Sequence, residues 1–135
     1  IDRVIDAFPA TQQEQIRIQL AATLEGVVTQ ALLPTADGAG RVPALEILFP
    51  DDAVRNLIRQ AKVEQVYSVM QTGTARGMQT MEQSLADLTI RGVVTYDVAL
   101  SRSSRPEQLV GILERAGFDV PGEPLASSTL RLAEG

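Results

Sequence analysis

Two β-rich runs, separated by a segment suited to turning, constrain this chain more than any other feature. Residues 27–33 read VVTQALL, residues 44–49 read ALEILF, and PTADGAGRVP lies between them. Asp-Gly and Gly supply the positive φ that a tight turn requires. The pattern therefore predicts a β-hairpin over 27–49 with its tip around 37–40. In the second run Leu45, Ile47 and Phe49 alternate with Ala44, Glu46 and Leu48, which places apolar residues on both faces. A two-stranded hairpin alone is marginal in water, so other elements must cover it. Pro43 cannot donate to a ladder and belongs at an edge or a strand start.

The rest of the chain supplies that cover as short helices. Val4, Ile5 and Phe8 share a helical face that Pro9 ends. Thr11-x-x-Glu14 has the form of a capping box opening a second helix with Ile16, Leu20, Leu24 and Val27 at roughly helical spacing, although Gly26 interrupts it. Asp51 can cap a short helix bearing Val54, Leu57 and Ile58. Val63, Val66, Tyr67 and Met70 form an i, i+3, i+4, i+7 stripe. Thr80-x-x-Gln83 is a second capping box, Thr95 a further cap, and Ser104-x-x-Glu107 with Pro106 the start of a last helix ending at Gly117 and Phe118. Residues 118–135 read as a loosely held tail. The length of 135 residues fits one domain.

Composition narrows the chemistry. There is no Cys and no His, so thiolate and imidazole metal sites and Ser-His-Asp or Cys-His catalysis are excluded. Of the twelve basic residues eleven are Arg, and the single Lys, Lys62, stands in QAKV rather than in G-K-[ST]. A phosphate-cradling Walker loop is therefore absent from this sequence. A net charge of −5 argues against nucleic acid as a partner. No apolar run approaches the ~18 residues that mark a membrane span, so membrane insertion is not expected. All three Met are internal and the chain opens on Ile1-Asp2-Arg3-Val4, which reads as a piece of a longer or processed chain.

The densest set of functional groups lies at 53–60, AVRNLIRQ. Arg55 and Arg59 are i, i+4 on one helical face, opposite Val54, Leu57 and Ile58. Two guanidiniums on a rigid face can grip a phosphate or a partner's carboxylates; the plain alternative is a solvated polar face. The DGAGR run at 37–41 is explained by turn chemistry. Asp51-Asp52 is explained as a cap with charge at a helix N-terminus. Met70, Met78 and Met81 read as core filling.

The order of segments resembles a known family. Residues 1–49 resemble the region that follows the catalytic motifs of PilT-like ATPases, in the secretion ATPase superfamily. AVRNLIRQ resembles the signature helix of the pilus-retraction members, and QTGTARGMQTMEQSLADLTIRGVVTYDVAL resembles the helices that follow. The resemblance covers about residues 1–117. It implies an α/β fold, namely the C-terminal part of a RecA-like ATPase domain built here from many short helices and one long hairpin, with a helical subdomain over 51–117. It also implies a hexameric motor for type IV pilus retraction and twitching motility, cytoplasmic and at the inner-membrane base of the pilus machine. ATP and Mg would be bound by the parent protein through motifs upstream of this stretch. No catalytic, cofactor or metal residue is carried over to this chain.

What carries over is the signature helix: Ala53, Val54, Arg55, Asn56, Leu57, Ile58 and Arg59. Position 60 is Gln where the family commonly has an acidic residue. The implied partners are neighbouring subunits of the same motor and the inner-membrane platform protein of the pilus. Cys is absent, whereas the extension and type II secretion relatives usually carry a cysteine-rich zinc element, and this favours the retraction type. The other readings are the same segment from such a relative, or a free-standing helical adaptor that docks an acidic partner through Arg55 and Arg59. The sequence further predicts that Leu57 and Ile58 are buried and that Arg55 and Arg59 are largely exposed.

Overall fold

The structure, a computed structural model, describes residues 1–122; the part of the expected tail at 123–135 lies outside the described residues. Helices α1 (Asp2–Asp6) and α2 (Gln13–Thr23) lead into strands β1 (Val27–Pro34) and β2 (Arg41–Leu48). Helices α3 (Asp52–Arg59), α4 (Val66–Gln71), α5 (Met81–Ile90), α6 (Tyr96–Arg102) and α7 (Pro106–Arg115) follow, with 3-10 turns at Val63–Gln65 and Thr74–Arg76. The expected hairpin is present as an antiparallel pair in the register Val27↔Leu48 through Pro34↔Arg41.

Its tip is fixed by short-range chemistry. Asp37 accepts from the Thr35 hydroxyl at 2.6 Å and from the Ala39 amide at 2.9 Å, and Gly38 takes φ +72°. The hydroxyl bond above all, and then the amide bond, hold the Asp37 carboxyl below its ordinary range.

The hairpin contributes to two apolar clusters. Leu33 and Ala44 join Leu85, Ala86, Leu88, Val94, Ala99, Leu109 and Leu113 in one. Leu48 joins Ala21, Val54, Ile58, Val66, Met70 and Met78 in the other. Phe118 and Val120, at the start of the expected tail, pack against the first cluster, and the Phe118 ring stacks 6.4 Å from that of Tyr96. Met70 and Met78 are buried, and Met81 packs at the edge of the first cluster.

Local signals decide most helix ends. Thr80 forms the full capping box with Gln83, Thr95 accepts from the Val98 amide, and Gly92 and Gly117 take positive φ after α5 and α7. The Phe118 amide bonds to the Leu113 carbonyl at 2.9 Å, completing a Schellman closure of α7.

Two expected caps do not form. The Gln12 amide bonds to the Pro9 carbonyl at 2.8 Å, and this turn absorbs Thr11, so α2 starts at Gln13 without a side-chain cap. Before α7, Pro106 occupies the first helical position and makes Arg105 the cap residue, one place after Ser104. The 63–70 stripe is also not one helix: a 3-10 turn runs into α4. Val27, placed in the sequence at the end of the second helix's apolar series, begins β1.

Candidate functional site

Helix α3 carries the signature residues, and its frame is set from both ends. Asp51 is extended (φ −95°, ψ −176°), and its Oδ1 accepts from the Val54 amide at 2.9 Å. Its Oδ2 lies 3.2 Å from Arg76 Nη2, which ties the N-terminus of α3 to the 3-10 turn at 74–76. At the other end the Lys62 amide reaches the Leu57 carbonyl at 2.9 Å and the Ala61 amide reaches Ile58 at 3.1 Å. This is a Schellman closure with Ala61, at φ +57°, where glycine is usual. Holding Ala there costs about 1–2 kcal/mol.

The inner face of α3 is apolar. Val54 and Ile58 are completely buried and Leu57 is half-buried. The other face divides the arginine pair. Arg55 turns back into the protein, and its Nη1 donates to the Ala21 carbonyl at 2.6 Å. That carbonyl lies in the last turn of α2, where backbone acceptors lack helical partners and a cation suits the macrodipole. Arg59, Asn56 and Ala53 are exposed, and Gln60 Nε2 lies 3.4 Å from Asn56 Oδ1. Arg59 makes no hydrogen bond or ion pair among the described residues.

The expectation that Arg55 is a solvated residue is therefore corrected. It staples α2 to α3 and leaves Arg59 as the free guanidinium of the pair. Arg55→Ala is expected to cost about 1–2 kcal/mol, the lower end for a hydrogen bond from a charged donor at a partly exposed site. Arg59→Ala is expected to stay within about 0.5 kcal/mol of the parent. Urea titrations of the two variants, compared at equal slope, check the contrast.

A second polar feature adjoins α3 through α4 and was not legible in the sequence. Glu82, in the first turn of α5, is 1% exposed. It accepts from Tyr67 Oη at 3.1 Å and from Ser103 Oγ at 2.8 Å. The Arg105 guanidinium carbon stands 3.7 Å from the centroid of the Tyr67 ring. Burial first, and the Glu82 charge second, push the Tyr67 phenol up to about 12. Tyr67, Glu82 and Arg105 edge a cavity of about 300 Å³ whose apolar wall includes Leu48, Val66 and Met70. Among the described residues no cluster of three or more His, Cys, Asp or Glu could hold a metal ion, and no helix is long and apolar enough to cross a membrane.

Comparison with known proteins gives these elements a place. The chain superposes on a crystal structure of the pilus retraction motor PilT with bound ADP at a TM-score of 0.71 and 45% identity, covering 82% of this chain and 30% of that one. A Legionella pneumophila ATPase, DotB, matches at a TM-score of 0.57 and 22% identity over 73% of this chain, a likeness of fold. The fold is that of the C-terminal portion of a RecA-like ATPase domain.

In sequence the chain is 47% identical over 109 residues to a twitching motility protein of Neisseria gonorrhoeae, covering 81% of this chain and 29% of that protein. It is 42% identical over 107 residues to the type IV pilus retraction ATPase PilT of Pseudomonas aeruginosa, covering 79% and 31% respectively. The chain is homologous to the PilT-type ATPases and spans about three tenths of the length of these curated relatives. No family model matches it.

Proposed function

We propose that this chain is the coupling segment of a PilT-like motor, transmitting the motion of ATP hydrolysis carried out elsewhere in the protein to retraction of a type IV pilus. The observation that supports this best is the likeness to the retraction motor, at 45% identity and a TM-score of 0.71 over 82% of the chain. In this reading ATP and Mg are held by the parent protein, outside this segment, in a cytoplasmic hexamer at the inner-membrane base of the pilus machine. Helix α3 is fixed to its own domain by Asp51, Arg55, Val54 and Ile58. Its exposed Asn56 and Arg59 then meet a neighbouring subunit or the platform protein. A rigid mount with one free guanidinium suits an interface that must move as a unit. The adaptor reading needs two guanidiniums side by side, and Arg55 is engaged with Ala21.

A chimera tests the proposal. Residues 1–122 replace the matching segment of Pseudomonas aeruginosa PilT in cells lacking that gene. Twitching is expected to return with the segment as it stands and to be lost with Arg59→Ala, at unchanged melting temperature of the purified protein. Failure of the unsubstituted chimera, although folded, would reject the segment's assignment. Normal twitching with Arg59→Ala would reject α3 as the coupling surface.

A further inference from the structure

The hairpin tip carries the one Asp-Gly step of the chain, Asp37-Gly38. Such a step is chemically reactive, because glycine has no Cβ to keep its amide nitrogen from the aspartyl Cγ. The nitrogen bonds to Cγ and a carboxyl oxygen leaves as water, which closes a five-membered succinimide. Water then opens the ring at either carbonyl. Opening at Cγ returns aspartate. Opening at the main-chain carbonyl leaves isoaspartate, in which the backbone runs through the side chain. One water leaves and one enters, so nothing else is consumed.

Bulk does not guard this step. Asp37 and Gly38 are exposed, and among the described residues no atom beyond the chain neighbours lies within 4 Å of where a Cβ on Gly38 would stand. Both reacting groups are nevertheless engaged. The Gly38 amide donates to the Thr35 carbonyl at 3.0 Å, so the nitrogen that would attack is turned toward Thr35. Asp37 Oδ1 accepts from Thr35 Oγ1 at 2.6 Å and from the Ala39 amide at 2.9 Å. These bonds hold the carboxyl in its ionised form, which loses an oxygen as water less readily than the acid does. Thr35 is itself held: its Oγ1 accepts from the Gly40 amide at 3.2 Å, and its amide donates to the Gly40 carbonyl at 2.9 Å. The Ala36 amide bonds to the Val93 carbonyl at 2.8 Å and fixes the tip to the turn after α5.

We infer that Asp37-Gly38 is a modification site held shut by Thr35, where isoaspartate accumulates only when the hairpin tip opens. Two bonds from one residue fall on the two reacting groups, its carbonyl on the nucleophile and its hydroxyl on the electrophile. Ring closure breaks both, since the nitrogen must give up its proton and the carboxyl must turn back from Ala39 toward the main chain. Reaction would also damage the fold. Isoaspartate adds one atom to the backbone of the loop that closes the Pro34↔Arg41 pair, and draws the tip away from its bond to Val93. The inference rests on bonds within 35–40 and is independent of the motor reading.

Ageing the purified 135-residue chain in warm, neutral buffer tests it, beside a synthetic peptide of residues 34–41 as the open reference. Trypsin releases residues 18–41, in which Asp37 is the only aspartate, and chromatography separates its isoaspartyl form from the aspartyl form of equal mass. The folded chain is expected to isomerise about tenfold more slowly than the peptide, or slower still. Thr35→Val keeps the branched shape and removes the hydroxyl. It is expected to speed isomerisation severalfold with circular dichroism unchanged, and Thr35→Ser is expected to restore the parent rate. A folded parent chain that isomerises as fast as the peptide overturns the inference. So does a folded Thr35→Val chain that ages at the parent rate. A Gly38 amide that exchanges with solvent as fast in the parent chain as in the peptide overturns it without any variant.

Discussion

Ile58→Ala is expected to destabilise the protein by about 2–5 kcal/mol, the range for truncating a large aliphatic residue in a closed core. Ile58 is 0% exposed and packs within the cluster that joins α3 to α2, α4, β2 and Met78. Its neighbours are held in place from outside: Val54 by the Asp51 cap and Ala21 by the Arg55 bond to the same residue's carbonyl. Such a site collapses poorly around a lost side chain, so the cavity contribution is retained in full. The whole stability of a domain this size is about 5–15 kcal/mol, so the change removes a large share of it. Leu57→Ala, at a half-buried position, should cost less. Urea unfolding with unchanged slope and a lowered midpoint is the measurement. A midpoint for Ile58→Ala equal to that of Arg59→Ala would mean that α3 is not anchored by its apolar face.

Glu82→Ala is expected to cost about 3 kcal/mol. Two hydrogen bonds to a charged acceptor contribute about 1.5–3 kcal/mol each, and the total falls short of the sum because they share one carboxylate. The truncation strands the Tyr67 and Ser103 hydroxyls and removes the acidic residue from the first turn of α5. Glu82→Gln keeps one acceptor oxygen and should lose less.

The same variants have a signature at alkaline pH. Tyr67 is pushed up from 10.0 to about 12, chiefly by burial and then by the Glu82 charge. A phenol whose folded value lies above its unfolded value favours the native state fully below the unfolded value. That contribution is lost as pH rises through the folded one, so the window here runs from about 10 to about 12. Ultraviolet titration of the phenolate should show the midpoint assigned to Tyr67 falling toward 10 in Glu82→Gln, and that step missing in Tyr67→Phe. An unmoved midpoint in Glu82→Gln would remove the carboxylate from the cause.

What could be read from the sequence was whatever neighbouring residues decide among themselves. Asp51, Thr80 and Thr95 cap as expected because each reaches an amide three residues away. The hairpin is legible for the same reason: alternation and an Asp-Gly tip are local facts. Thr11 and Ser104 fail because a proline nearby shifts the start of the helix, Pro9 through the turn it begins and Pro106 through the position it occupies. For the candidate site, the apolar side of α3 follows from its spacing. The fate of Arg55 does not, since its partner is a backbone carbonyl 34 residues earlier. Nor does the group around Glu82, which joins Tyr67 of α4, Glu82 of α5 and Ser103 just after α6. The resemblance to retraction ATPases singled out α3 as the candidate, and only the fold separates its two arginines into one that holds and one that is free.

Strand β2 gives Ala44 to one apolar cluster and Leu48 to the other. Four residues of extended chain separate them, roughly 13 Å at about 3.3 Å per residue. Strand β1 does the same with Leu33 and Val27, so the hairpin as a whole sets side chains into both halves. Loosening α3 from Leu48 frees the end of a strand whose other end seals Leu85 and Leu109, so neither half has a melting point of its own. The chain should come apart in one step, and damage anywhere along β2 is damage to both rooms of the house.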